Sequence, residues 1–248
     1  MKKNIISFGN WRYYKTLEKL KNSALERGNI DNIFLLKESD IEPYFYEKNI
    51  KLFNENRGFG YWSWKPYFIK QFLARCNDDD YFLYIDSGNL ILNDLTPLFK
   101  ILEKNKKGIV LFNNCDGSPD GSNWKNINWT KADCFNLLGL TSEKYTYGNQ
   151  VNGSFILFKK TDFSIKFFNT FLQAATNYHI ISDYQNITEN FNKNEFRDHR
   201  HDQSVLSLLS IHYDIQIIRD PSQWGNHLDE NKEDYSQLIE HHRRKFYI

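Results

Sequence analysis

Long apolar runs are missing from this 248-residue chain, and none of its stretches approaches the ~18 apolar residues needed to span a bilayer. The N-terminus, MKKNIISFGNW, turns polar after a few apolar residues, too soon for a secretory signal core. Cysteine is scarce: Cys76, Cys115 and Cys134 are an odd number at wide spacing with no CxxC pair, which argues against a disulfide framework and a zinc site. A reducing cytoplasm is expected, and the sequons at Asn128, Asn152 and Asn186 then carry no meaning. Charge of one sign is lacking too. With 32 basic and 31 acidic residues, the net charge of +1 gives no general reason to expect nucleic acid or an anionic membrane as partner. No G-x-x-x-x-G-K-[ST], G-x-G-x-x-G or G-x-S-x-G pattern occurs, so the P-loop, the dinucleotide fingerprint and the nucleophile elbow are excluded.

What the chain does have is aromatic residues, 17 % of the total. Flat aromatic faces pack against the apolar C–H patches of sugars and against nucleobases, but AT-rich coding also enriches Phe and Tyr, so only placement counts. Short apolar runs at residues 4–8, 32–37, 81–86, 108–113 and 152–160 read as buried strands. Helical segments at 13–27, 66–75, 95–104, 130–138, 162–178 and 202–209 alternate with them. That alternation predicts an α/β fold with a mainly parallel central sheet and helices on both faces. Ligands in such folds sit at the carboxyl ends of the strands. No composition break marks a linker, so one domain over residues 1–248 is expected. The polar, Asn-rich stretch 178–197 is expected to be a loop or irregular helix, of the kind that forms a substrate lid or an acceptor-side wall.

Several short stretches carry chemistry. YIDSGN places Asp86 at a strand's carboxyl end, where it can hold a divalent cation or a ribose hydroxyl, or simply open a turn; Ser87 and Gly88 leave room for a diphosphate. DHRHDQS, residues 198–204, precedes an apolar helix. Capping explains one of its acids, while His199, Arg200, His201 and Asp202 together offer a general base, a cation for phosphate and metal ligands. A histidine-aspartate pair also suggests an HD-type metal phosphohydrolase, which needs further ligands on helices. Gln150 and Asn152 stand at the start of a buried strand, where they fix sugar hydroxyls or satisfy neighbouring backbone. His227, in a loop after the last strand, can reach back to a metal. GFGYWSWKPY, residues 58–67, crowds aromatics between glycines and a Lys-Pro pair in a pattern that suits neither strand nor helix.

Taken together, GFGYWSWKPY, YIDSGN, NGSFILFKK, HRHDQSVLSLL and DPSQWG resemble a GT-A-type glycosyltransferase of the bacterial and viral group with a GYWxWKP segment, over residues 4 to 228. The resemblance implies a nucleotide-sugar donor, with UDP as the expected nucleotide. It also implies a glycan or lipid-linked saccharide acceptor in surface polysaccharide synthesis, at the cytoplasmic side with peripheral membrane contact. Ser7, Phe8 and Gly9 then match the base and ribose pocket. Asp86 matches the first aspartate of an Asp-x-Asp motif whose second is Gly88 here, and a divalent cation, Mn2+ or Mg2+, is expected on Asp86 and His227. Gly58 and Gly60 permit a close approach of backbone to ligand, Tyr61 or Trp64 stacks on the base or sugar, and Lys65 or Arg200 faces the diphosphate. Asp202 or His201 is the expected base if the anomeric centre inverts; if it is retained, Gln150 and Asn152 lie near the reacting face. A catalytically idle sugar- or nucleotide-binding module is the reading from another class.

Overall fold

The computed structural model describes residues 1–114, 124–225 and 235–242 of the chain; Cys115 and His227 lie outside them. Six strands form the central sheet in the order β2-β1-β3-β6-β5-β7. They are β1 (Lys2–Phe8), β2 (Asn32–Leu36), β3 (Asp80–Ile85), β5 (Ile109–Phe112), β6 (Phe155–Lys159) and β7 (Gln216–Ile218), and β4 (Asn89–Ile91) pairs separately with β8 (Ile239–His241). Ile6 of β1 pairs in parallel with Phe34 on one side and Tyr84 on the other. Only β6 runs against its neighbours, with Leu157 opposite Leu83. The expected mainly parallel sheet is what forms, with one reversed strand at its centre.

The side-chain alternation of a strand explains the two cores. Ile6, Phe82, Tyr84, Leu111, Ile156 and Phe158 point to one face, and Ile5, Leu83, Ile85, Val110, Phe155 and Leu157 to the other. Helices α2 (Trp64–Arg75), α5 (Asp162–Ala175) and α6 (Asp202–His212) cover the first face; α1 (Tyr14–Arg27) and α3 (Thr96–Lys104) cover the second. α4 (Ala132–Leu138) joins the first group. The inner strands β3, β5 and β6 are apolar on both sides because both sides are buried, which is why those runs read as continuous rather than alternating.

The segment after α5 is coil from residue 182 to 200 apart from isolated turns, and it is stapled to the N-terminus of α4. Buried Asp133 accepts hydrogen bonds from the backbone of Ile187 and Thr188 at 2.8 and 3.0 Å and from the Thr188 hydroxyl at 2.7 Å. The Lys131 ammonium donates to the carbonyl of Tyr184 at 2.7 Å. Hydrogen bonds of this type hold the loop against α4 and make a wall of it.

Candidate active site

The GFGYW stretch is a turn of left-handed helix. Gly58, Phe59, Gly60, Tyr61 and Trp62 have φ of 61°, 51°, 82°, 55° and 60° in succession. Tyr61 N–H donates to Arg57 C=O at 2.8 Å and Trp62 N–H to Gly58 C=O at 3.2 Å, the bond spacing of an α-helix with the opposite hand. Left-handed backbone costs roughly 1–2 kcal/mol for each non-glycine residue, so three such residues carry a real penalty. Both glycines are needed. A Cβ on Gly58 would lie 2.3 Å from the Trp62 indole, and one on Gly60 would lie 3.1 Å from the Phe53 ring. Gly58 therefore serves the turn and the seating of Trp62 while also lining the cleft, and Gly60 serves the turn.

Handedness decides which aromatic goes where. Phe59 and Trp62 reach an open cleft of about 550 Å³, while Tyr61 is buried against the His201 ring at 4.7 Å. Trp64 packs 4.0 Å from Phe8, and its indole N–H donates to Gly58 C=O at 3.0 Å. The stacking face open to the cleft is thus built from Phe59 and Trp62 more than from the expected Tyr61 and Trp64. The cleft lies at the carboxyl ends of β1 and β3, bounded at one end by Phe8, Gly9, Asn10, Arg12 and Tyr13. Asp86, Ser87, Gly88, Trp124 and Arg200 also line it.

Lys65 lies beside Asp86 in this cleft, 2 % exposed. Its ammonium donates to Asp202 Oδ2 at 2.5 Å and to Gly153 C=O at 2.8 Å, and lies 3.6 Å from Asp86 Oδ1. The Lys65 ammonium thus has two protein acceptors and faces the cleft as the partner of two carboxylates. Burial works against its charge, but the fields of Asp202 and Asp86 outweigh burial and hold its pKa above the ordinary value. Burial pushes the Asp202 carboxyl up to about 6, with Lys65 opposing. Tyr84 donates to Asp86 Oδ1 at 2.6 Å, and burial followed by the charge of Asp86 raises its pKa well above the ordinary value. Asp86 Oδ2 has no hydrogen-bond partner among the described residues, and its side chain is 30 % exposed toward the cleft.

Of the residues singled out in the sequence, Phe8, Gly9, Trp64, Lys65, Asp86, Ser87, Gly88, Asn152, Arg200, His201 and Asp202 line the cleft. Ser7, Gly60 and Tyr61 are buried behind it. Gln150 is set back as well, with its amide donating to Asn126 and Thr130 at 3.0 and 3.1 Å and its carbonyl accepting from Gln203. Asn152 donates to Asp220 at 2.7 Å. The two histidines are committed to backbone carbonyls: His199 Nε2 to Ile180 at 2.9 Å and His201 Nδ1 to Ile181 at 2.7 Å. Burial holds both rings below the usual histidine range, His201 at about 4. Buried neutral rings bonded in this way do not suit an HD metal centre, and no cluster of three or more ligating side chains occurs among the described residues. Arg200 lays its guanidinium over Trp129 at 4.6 Å and Trp124 at 5.4 Å.

Among the cleft residues that the sequence did not single out are Arg57, Phe59, Gln203 and His241. Gln203 follows Asp202 directly, so its adjacency was visible. His241 arrives through β8, opposite Asn89 of β4, with His242 N–H donating to Gly88 C=O at 3.1 Å. A pairing of three residues across 150 positions leaves no local signal. With respect to a divalent cation, Asp86 contributes one open carboxylate oxygen and His241 a ring in the same cleft, while Gly88 contributes none. That donor set fits a hard cation only when a diphosphate brings further oxygens.

No known family profile matches the chain, and no curated protein does. Its fold is shared with solved glycosyltransferases. The glycosyltransferase GlyE of Streptococcus pneumoniae TIGR4 superposes with a TM-score of 0.52 at 16 % identity over 100 % of this chain, which spans 56 % of GlyE. Mouse xyloside xylosyltransferase 1 gives 0.53 at 9 % identity, with all of both chains covered. An active-site mutant of LgtC gives 0.50 at 10 % identity, covering 97 % of this chain and 87 % of that one. The chain thus has the mixed α/β architecture of GT-A glycosyltransferases, with a cleft where such a sheet binds ligands.

Proposed function

We propose that the protein is a glycosyltransferase that moves a sugar from a nucleoside-diphosphate sugar, with UDP as the nucleotide, to a glycan or lipid-linked saccharide. The observation that carries this reading is the Lys65–Asp202–Asp86 triangle in the cleft, on a fold shared with glycosyltransferases. Phe59 and Phe8 at the β1 end supply faces for a base, with Asn10 and Arg12 beside them. The diphosphate belongs over Ser87 and Gly88, where small residues let it approach the backbone. Glycosyl transfer builds negative charge on the departing phosphate and positive charge on the anomeric carbon, and preorganised charge that meets both lowers the barrier.

Asp86 and His241 would hold a divalent cation delivered with the donor, and that cation would supply charge neutralisation at the leaving diphosphate. Asp202 is buried to 4 % exposure yet lines the cleft, so its carboxylate is fixed toward the sugar and either accepts the acceptor hydroxyl's proton or anchors a donor hydroxyl. Lys65 keeps that carboxylate ionised and immobile. The residues form one catalytic domain over 1–248 in this reading. Peripheral contact with the inner face of a membrane is supported by two apolar side chains on the stapled wall, Ile187 at 55 % and Phe191 at 87 % exposure. No helix among the described residues is long and apolar enough to cross a membrane.

The deciding experiment is slow hydrolysis of a panel of nucleotide sugars without acceptor, followed as nucleoside diphosphate release, with thermal shift on the same panel. Release from one donor, together with a raised melting temperature, supports the reading. Binding without release points to an idle nucleotide-sugar module, and neither result from any donor overturns both.

A further inference from the structure

Non-glycine residues with positive φ number six among the described residues, and four of them fall in two segments that pack together beside the cleft, Phe59, Tyr61 and Trp62 in one and His201 in the other. Asn29 and Asp214 are the other two and are ordinary for that conformation. The Tyr61 and Trp62 rings lie 4.7 and 5.7 Å from the His201 ring, so two strained segments brace each other. His201, at φ 52° and ψ −118°, is the residue immediately before α6, and Asp202 is the first residue of that helix. Backbone strain persists only where its surroundings over-determine it, and it concentrates at functional sites.

What over-determines it is Arg57. Its guanidinium makes a fork on Asp198, with Nη2 to Oδ2 at 2.6 Å and Nη1 to Oδ1 at 3.3 Å, and Nη1 also donates to Asp183 at 3.1 Å. Asp183 and Asp198 stand at the two ends of the stapled wall, and Asp183 Oδ1 lies 3.7 Å from His201 Nε2. Arg57 C=O also accepts the first hydrogen bond of the left-handed turn. One residue therefore starts the turn with its backbone and fastens the His201 corner with its side chain.

Building on the function proposed above, we propose that Arg57 is a positioning residue. It holds the left-handed turn against His201, and through that contact it fixes where Asp202 stands in the cleft. A planar five-donor fork is required, because a lysine ammonium at the same place cannot reach both carboxylates in fixed geometry.

The test uses Arg57→Ala and Arg57→Lys in the full chain, with two readouts. The first is 19F NMR of 5-fluorotryptophan-labelled protein, with the Trp62 resonance assigned through Trp62→Phe. That resonance should shift in Arg57→Ala and move part of the way back in Arg57→Lys. The second is donor hydrolysis. A displacement of about 1 Å at a catalytic group costs about a hundredfold, so kcat should fall by about that factor in Arg57→Ala. UDP affinity and the donor KM should stay within about threefold, and Arg57→Lys should fall between. An unmoved Trp62 resonance overturns the proposal. So does a loss of UDP affinity at unchanged kcat, since Arg57 would then be a direct ligand for the diphosphate. If no nucleotide sugar is turned over by the unaltered protein, the functional reading fails, and the fluorine shift still decides whether Arg57 positions the turn.

Discussion

The floor of the cleft and its rim use the same charge arithmetic in opposite surroundings. At the floor one cation, Lys65, stands between two carboxylates, Asp202 and Asp86, with its side chain 2 % exposed. At the rim one cation, Arg57, stands between Asp183 and Asp198, with 40 % of its side chain and 38 % of each carboxylate exposed. Water decides what each cluster is for. The rim is solvated and screened, so its bonds fix geometry at little energetic consequence. The floor is desolvated, so breaking its charge balance strands a charge where nothing replaces its partner.

The largest expected effect therefore falls at the floor. Lys65→Met removes the cation and leaves buried Asp202 unpaired beside the partly exposed Asp86, and it should destabilise the protein by about 3–5 kcal/mol in urea unfolding. Lys65→Met together with Asp202→Asn should recover much of that loss, because the remaining groups are then fewer in charge. A double variant no more stable than the single one would mean that the floor tolerates an unpaired charge as readily as the rim does.

Next comes Asp202→Asn, expected to lower donor turnover by about a hundredfold or more through loss of the carboxylate that the proposed reaction would use. It also tests the sign of the buried charge. The folded pKa of about 6 lies above the ordinary 3.8, so this group's contribution to stability is full below pH 3.8 and is lost as pH rises through 6. The stability difference between the unaltered protein and Asp202→Asn should therefore change between pH 4 and 6 and be flat above. The turnover of the unaltered protein should rise across the same interval as the carboxylate ionises.

Asp133→Asn follows, at about 1–3 kcal/mol, because three donors of the stapled wall lose a charged acceptor. Burial alone would raise the Asp133 pKa, but the Thr188 hydroxyl and the Ile187 and Thr188 backbone outweigh it and lower the pKa. Its contribution is thus present above the ordinary 3.8 and lost as pH falls through the lower folded value, opposite in direction to Asp202. Hydrogen exchange at residues 184–192 under acid conditions measures it. Smallest in stability is Arg57→Ala, within about 1 kcal/mol in urea unfolding, as expected of a half-exposed ion pair. Its large expected effect on turnover beside that small effect on stability is the sharpest form of the comparison.

How far the sequence alone could reach varies along the chain. The strands were legible because a sheet covered on both faces needs short continuous apolar runs, and LeuTyrIleAsp at the end of β3 marked Asp86 by position. The helix after DHRHDQS was legible from its apolar spacing, though it runs on to His212. The expected helix over 162–178 stops at Ala175, where Thr176 and Asn177 intervene before a separate turn at Tyr178–Ile181. The crowded aromatics of GFGYWSWKPY announced something unusual, yet their handedness was not written locally. Phe, Tyr and Trp all disfavour left-handed backbone, and no propensity scale would place three of them there.

Composition and pattern, then, determined the α/β class, the mainly parallel sheet and the region of the chain that carries charge, since those depend on local preference and on which runs must be buried. Tertiary structure decided the rest. It turned Lys65 inward because two carboxylates from β3 and α6, far apart in sequence, could meet only at that point and needed a cation there. It buried Tyr61 and turned Phe59 outward because a braced contact with His201 and the Arg57 clamp hold a left-handed turn that the local sequence resists. It also brought His241 to the cleft through a three-residue pairing of β8 with β4. Each of these depends on partners far away in the sequence, and such partners leave no periodic trace along a single strand or helix.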